Sequence, residues 1–280
     1  MNDIIKKLTA IDRRYLFIII ALVVVIPLLF KPKFPIIPKK PVIDAYKSVD
    51  SLSAGDKVMI SVDYDAASMP ELQPFLEALL RHCFKKELNP IMLVQWQLGA
   101  PLGTRAMEKI AKEFDVEYGV DYINLGYRPG YTAQIVGIGK EIRDYFITDY
   151  KGDLIDSFSV MDDIHNYDDI DILVGLEAGA TGNIWVQYAG ARYNQRIILA
   201  LTAVSAPDAY FFYQSGQIEG LVGGMKGSAD YETLIDHPDV AVAGMAAQSF
   251  VHILIIVFII LGNIAYFFEK RNKGKTLGGK

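Results

Sequence analysis

The chain of 280 residues has a single cysteine, Cys83, so no internal disulfide can form and the fold must be held by its apolar core. Cys83 itself reads as a small buried apolar side chain on a helix, not as a reactive thiol. Histidine is almost as scarce. Residues 82, 165, 237 and 252 are scattered, with no H-E-x-x-H spacing and no cysteine partners, which argues against zinc. Nucleophile motifs are missing as well: no G-x-S-x-G elbow occurs, and His82 beside Cys83 would point about 100° away from it on a helix. Gly137-Ile-Gly139-Lys140 has Gln134 and Glu141 where a phosphate loop needs glycine and a hydroxyl. In the run from Gly220 to Ser228, a glycine separates Lys226 from the hydroxyl. No G-x-G-x-x-G follows a predicted strand. These absences argue against a nucleotide cofactor and a metal, and they nominate no catalytic residue.

What the chain does have is two apolar runs that bracket it. Residues 15–30 carry no charge and would make about 24 Å of helix, enough to enter and cross a bilayer core. Lys6, Lys7, Arg13 and Arg14 precede this run as in a signal peptide, but Phe-Lys-Pro-Lys-Phe-Pro follows where cleavage needs small residues. A retained anchor is expected, kinked at Pro27. Residues 250–268 form the second span, interrupted only by His252, Gly262 and Asn263. Lysine and arginine near the ends of a span set its orientation. They are balanced around the first run, whereas Lys270, Arg271, Lys273, Lys275 and Lys280 follow the second and none lies in residues 227–249. Both termini are therefore expected in the cytoplasm, on a two-pass protein of the cytoplasmic (inner) membrane whose main domain is extracytoplasmic.

Charge divides along the same line. The chain has 28 basic and 33 acidic residues; those up to Pro41 and from Ser249 onward hold 13 and 3 of them, which leaves the middle near −15. Such a surface repels nucleic acid and anionic lipid headgroups. The expected divisions are a tail (1–14), a span (15–30), a stalk (31–41), an α/β domain (42–248), a second span (249–268) and a basic tail (269–280). The stalk rests on Pro32, Pro35, Pro38 and Pro41, whose spacing of three matches the polyproline II repeat.

Between stalk and second span, short apolar runs alternate with helical periodicity. Strands are expected at 57–63, 90–96, 122–126, 171–176 and 196–201. Helices are expected at 42–52, 68–87, 104–114, 132–149 and 181–189, with another opening at Ser205. Ser68-Met-Pro-Glu71 and Ser205-Ala-Pro-Asp208 read as helix starts, the first with capping-box spacing. The alternation predicts a doubly wound, mainly parallel sheet, Rossmann-like or flavodoxin-like. Ligands in such sheets sit beyond the carboxyl ends of the strands, which nominates Asp63, Asp65, Gln97, Asn124, Glu177 and Ser205, each of which would serve equally as a cap or loop-solvating group.

Gly220, Gly223, Gly224 and Gly227 suggest close backbone approach to a second subunit or another helix, with anion binding as a lesser use. Ala243, Gly244 and Ala247 have small-residue spacing for helix packing, and Asn263 could add an interhelical hydrogen bond. Eight aspartates at 149–171 lack the calcium-loop pattern and read as a solvated loop. Leu125-Gly-Tyr-Arg-Pro-Gly130 and the segment GLVGGMKGSADYE at 220–232, together with the flanking spans, resemble an uncharacterised bacterial family of two-span membrane proteins with an extracytoplasmic Rossmann-like domain. That resemblance implies the fold and carries no activity, cofactor or catalytic residue.

The leading expectation is a non-enzymatic, membrane-anchored structural subunit that assembles with copies of itself or with other membrane subunits in the lipid bilayer. The alternative is binding or sensing of a small ligand at the strand-end crevice, with a deep pocket around Asn124 and Glu177. A second alternative is an extracytoplasmic hydrolase built from distant serine, histidine and acid.

Overall fold

Apolar segments too short for helices pair edge to edge in the computed structural model, which describes residues 12–30 and 35–277. In chain order the main elements are α1 (Arg13–Phe30), α2 (Lys40–Asp50), β1 (Lys57–Asp63), α3 (Met69–Lys85), β2 (Asn89–Val94), α4 (Ala100–Phe114), β3 (Ile123–Tyr127) and α5 (Tyr131–Ile138). They continue with β4 (Ile172–Glu177), α6 (Thr181–Ile184), β5 (Ile197–Leu201), α7 (Ala206–Gln214), β6 (Gly220–Gly223), α8 (Gly224–Leu234) and α9 (Val240–Leu277). The helical path of α6 runs on through a π-helical turn, Trp185–Gly190.

All six strands are parallel, in the order β3-β2-β1-β4-β5-β6. Helices cover both faces, which is why β1 and β4 are apolar on both sides and nearly every residue in them is buried. One core layer joins α2, α3, α4 and Tyr231 of α8 to Val58, Ile60 and Val62 of β1. The other joins α5, the π turn and α7 to Met59, Leu173 and Leu199. The chain thus winds one way from β1 through β3 and the other way from β4, so the winding reverses between β1 and β4.

Two compact units are present, residues 35–242 and the terminal helices. Helix α1 and residues Val240–Phe267 of α9 are long and apolar enough to cross a membrane, and their side chains are mostly exposed. Pro27 lies inside α1. The start of α9 is capped from within the domain: the buried carboxylate of Glu232 on α8 accepts the backbone N–H groups of Asp239 (2.8 Å), Ala241 (2.9 Å) and Val242 (3.0 Å). Two residues earlier, Asp230 accepts the N–H of Lys39 at 3.2 Å. Helix α8 therefore holds the backbone where it enters the domain and where it leaves.

Four expectations change. Residues 31–34 of the expected stalk lie outside the described residues, and Lys226 and Asp230 hold Ile37 and Lys39 against the domain. Pro41 stands in the first turn of α2, where a missing N–H costs no helical bond. The helix expected at 132–149 ends at Ile138, because the chain folds back on two glycines: a Cβ on Gly137 would lie 1.8 Å from the Tyr145 ring, and one on Gly139 would lie 2.2 Å from the Tyr193 ring. Neither serine box caps as its spacing suggested. Asp65 accepts the N–H groups of Ala67 and Ser68 ahead of α3, while Glu71 reaches the N–H of Ala203 at 2.7 Å in the loop before α7. Finally, β6 is a sixth strand inside the glycine cluster. Glycine opposes strand formation unless another backbone must come close, and here a Cβ on Gly220 would lie 2.4 Å from the Cα of Ala45 on α2.

Candidate functional site

Strand alternation sends every second side chain to the same face. On the face covered by α5 and α6, β1 presents Met59, Ser61 and Asp63, β2 presents Ile91 and Leu93 before Gln95, and β4 presents Leu173, Gly175 and Glu177. Asp63 pairs in register with Glu177, and Gln95 follows the end of β2 beside them. Three adjacent strands thus end in polar residues on one face, in the row Gln95–Asp63–Glu177, where the winding reverses. Helices on the two sides diverge there and leave a crevice, the usual ligand position in such sheets.

The three groups differ in how well they are satisfied. Asp63 is fully buried; it accepts the hydroxyl of Ser61 at 2.6 Å and the N–H groups of Gln95 (2.6 Å) and Trp96 (3.2 Å). Burial raises its pKa to about 6 against those stabilising bonds. Glu177 is also fully buried, yet neither of its oxygens has a hydrogen-bond partner. Burial, and secondarily the charge of Asp63, push its carboxyl well above the ordinary range. Two glycines make its space: a Cβ on Gly175 would lie 2.5 Å from one carboxyl oxygen, and one on Gly182 would lie 3.1 Å from the other. The side-chain amides of Gln95 and Gln134 and the indole nitrogen of Trp185 are likewise buried without partners. Trp185 lies near Asp63 but outside hydrogen-bonding geometry. An unpaired buried polar group costs about 1–3 kcal/mol, so several at one place are hard to explain by folding alone.

Above this row lies a cavity of about 380 Å³, lined by Gln95, Trp96, Gln97, Tyr127, Tyr131 and Thr181 together with Leu98. On its wall Tyr131 Oη and Thr181 Oγ1 lie 2.5 Å apart, and Gly182, next to Thr181, lies against the carboxyl of Glu177, which does not itself line the cavity. Tyr131 has a φ of 38°, in the left-handed region that a tyrosine seldom occupies, so its placement is over-determined by its surroundings. Burial and, to a lesser degree, the charges of Glu177 and Asp63 raise the pKa of its phenol. A second cavity of about 490 Å³ near Arg105, Glu108, Arg128 and Tyr150 is larger, and of these four all but Arg105 are already paired. Arg128 donates to the carbonyls of Tyr127, Thr148 and Asp149, and Glu108 accepts the Tyr150 hydroxyl.

Of the residues nominated from sequence, the structure brings Asp63 and Glu177 together and sets Gln97 on the cavity wall. Asp65 caps α3. The side chain of Asn124 receives the N–H of Gly126 and donates to Thr104, bracing a bulge in β3, and it is sealed from solvent. Ser205 bonds the Thr202 hydroxyl. Gly220, Gly223, Gly224 and Gly227 meet Ala45, Ala206, Ala203 and Val222 of the same domain. Ala243 and Ala247 are buried, Gly244 is partly buried, and the exposed Asn263 donates to the carbonyl of Ile259 one turn earlier. Sequence reading missed Gln95, Gln134, Tyr131, Thr181 and Trp185. Gln95 had a signal, since it follows Leu93 at the strand period; the others come from helices whose docking no local pattern reveals.

Among the described residues no group of three or more histidine, cysteine, aspartate or glutamate side chains is placed to hold a metal ion. Three of the eight aspartates at 149–171 brace backbone: Asp149 accepts the N–H groups of Lys151 and Asp153 and the hydroxyl of Tyr118, Asp169 accepts the N–H groups of His165 and Asn166, and Asp171 accepts the N–H of Lys57.

Fold and crevice define a doubly wound, Rossmann-like α/β domain in a chain with two long apolar terminal helices. Compared with protein-family models, curated proteins and solved structures, the chain matches none.

Proposed function

We propose that the chain is a membrane-anchored binding protein whose α/β domain takes a small polar ligand at the crevice between β1 and β4. The observation that carries this reading is the convergence of buried, unpartnered polar groups on Glu177, Gln95 and Gln134, beside a cavity of about 380 Å³. The two apolar helices are its bilayer spans, both tails are cytoplasmic and the domain is extracytoplasmic. Supporting that orientation are the basic residues after residue 269 and their absence from 227–249. The family resemblance at 125–130 and 220–232 fits such an architecture and adds no ligand.

The test is to purify the full chain from native membranes in mild detergent, denature it and identify released small molecules by mass spectrometry. A stoichiometric small molecule, lost in Trp96→Ala, is expected. No released molecule, together with no thermal stabilisation by any of a broad panel of polar metabolites, would overturn the reading.

Assembly as a structural subunit is a second reading. Val204 is 87% exposed and Phe211 67% exposed around α7, and the small residues Ala243, Gly244 and Ala247 lie on the outgoing helix. A monomeric mass in mild detergent would remove it. The hydrolase reading has less support, since the hydrogen-bonded and ionic partners of His82 and His165 are Tyr231, Asp50 and Glu141.

A further inference from the structure

Resting on that binding reading, the chemistry of the crevice selects a ligand class. The cavity wall holds three aromatic side chains (Trp96, Tyr127 and Tyr131), the amides of Gln95 and Gln97, Thr181 and no lysine, arginine or histidine. Behind the Tyr131–Thr181 hydroxyl pair stand two acids and no base. Such a lining repels anions, so phosphates and carboxylates are poor candidates. Aromatic faces that lead to an acid suit a positive charge.

We propose that this crevice binds a small organic ammonium ion, whose charge meets Glu177 once the hydroxyls of Tyr131 and Thr181 part. An organic cation suits the site better than a divalent metal, because both oxygens of Asp63 already accept hydrogen bonds and only Glu177 offers a free carboxyl. One carboxylate is a thin ligand set for calcium or magnesium, but it satisfies an ammonium group, particularly with aromatic neighbours. The ionisable side chains that face Glu177 are Asp63 from β1 and Tyr131 from α5. Neither supplies a positive charge. Entry of the cation makes the carboxylate the favoured form, and the proton of Glu177 passes to solvent as the ammonium arrives. Binding is therefore coupled to release of one proton, and affinity rises about tenfold per pH unit while Glu177 is protonated in the free protein.

Isothermal titration calorimetry on the full chain in mild detergent decides the matter. The probes are tetramethylammonium, choline and putrescine, with 3,3-dimethylbutanol as the neutral counterpart of choline, and acetate and magnesium as controls. At least one ammonium probe should bind ten times or more tightly than the neutral alcohol, release protons as judged from heats in two buffers, and tighten as pH rises from 6 to 7. Glu177→Gln should bind choline and the alcohol alike, with no pH dependence. Tyr131→Phe, which removes one hydroxyl of the pair and leaves Glu177 intact, should keep the proton release and bind faster. Equal binding of charged and neutral probes, preferential binding of magnesium or acetate, or binding without proton release would each overturn the ammonium assignment while leaving a binding crevice in place. Failure of every probe, in a protein that also releases no small molecule on denaturation, would overturn both.

Discussion

Replacing Glu177 by glutamine keeps the shape of the side chain and removes its proton equilibrium. Burial first, and Asp63 second, raise the folded-state pKa of this carboxyl well above normal. The unfolded chain releases the proton near pH 4.3, the reference value for glutamate, given as about 4.3. For a group raised in the folded state, the contribution to stability is greatest below the unfolded value and falls as pH climbs toward the folded one. The limiting slope is about 1.4 kcal/mol per pH unit, so the wild type should lose stability through this group as pH climbs above the unfolded value. The glutamine amide brings a donor with no partner in the pocket, costing about 1–3 kcal/mol at every pH. That constant sets the offset between the two proteins; the pH dependence of their difference comes from the carboxyl. Thermal unfolding of both full chains in mild detergent, from pH 5 to pH 7, should therefore show the wild-type Tm falling relative to Glu177→Gln, by about 2–4 °C for each kcal/mol lost. Fluorescence is a suitable readout, because the only tryptophans, Trp96 and Trp185, both lie at this site. Asp63, whose pKa is raised to about 6, is coupled to Glu177, so the comparison reports the titration of the pair. Parallel curves would refute the claim that Glu177 is protonated and unpaired in the folded state.

Three other predictions follow from packing. Gly220→Ala would force a Cβ to 2.4 Å from the Ala45 backbone, so it should cost about 1–3 kcal/mol or more in thermal unfolding, while substitution of the exposed Gly216 by asparagine, which tolerates its φ of 75°, should cost much less. Glu232→Ala leaves three N–H groups at the start of α9 without their carboxylate; a loss of about 1–3 kcal/mol is expected, with faster hydrogen exchange at Ala241 and Val242, and unchanged exchange there would refute the cap. Cys83 is fully buried and burial raises its thiol pKa, so maleimide should label it slowly in the folded protein and rapidly in denaturant. Rapid labelling under native conditions would contradict its place in the core.

Much of the fold is a local matter and could be read from residue period. The apolar runs of β1, β2, β4 and β5 fell within a residue or two of their observed bounds, as did the amphipathic α3, because burial on one or two faces writes itself directly into the order of side chains. The uncharged run at 15–30 likewise matches α1 to within two residues, whereas the run at 250–268 is only the middle of the longer α9. Residue period failed where a distant partner set the outcome. Ile135, Ile138, Ile142 and Phe146 kept a helical spacing, yet Gly137 let the Tyr145 ring fold back and end α5. At β6 the glycines discouraged a strand, and Ala45 on α2 required them.

The candidate site divides the same way. Sequence alone determined that Asp63 and Glu177 would stand at the ends of buried strands, since each closes an apolar run with an acid. Only the tertiary structure decided that the two are neighbours, that Gln95 joins them, and that Tyr131 and Thr181 close the space above Glu177. Strand period is fixed by bonds a few residues apart, whereas strand order, register and helix docking are fixed by contacts between segments that the chain's sequence keeps far from one another.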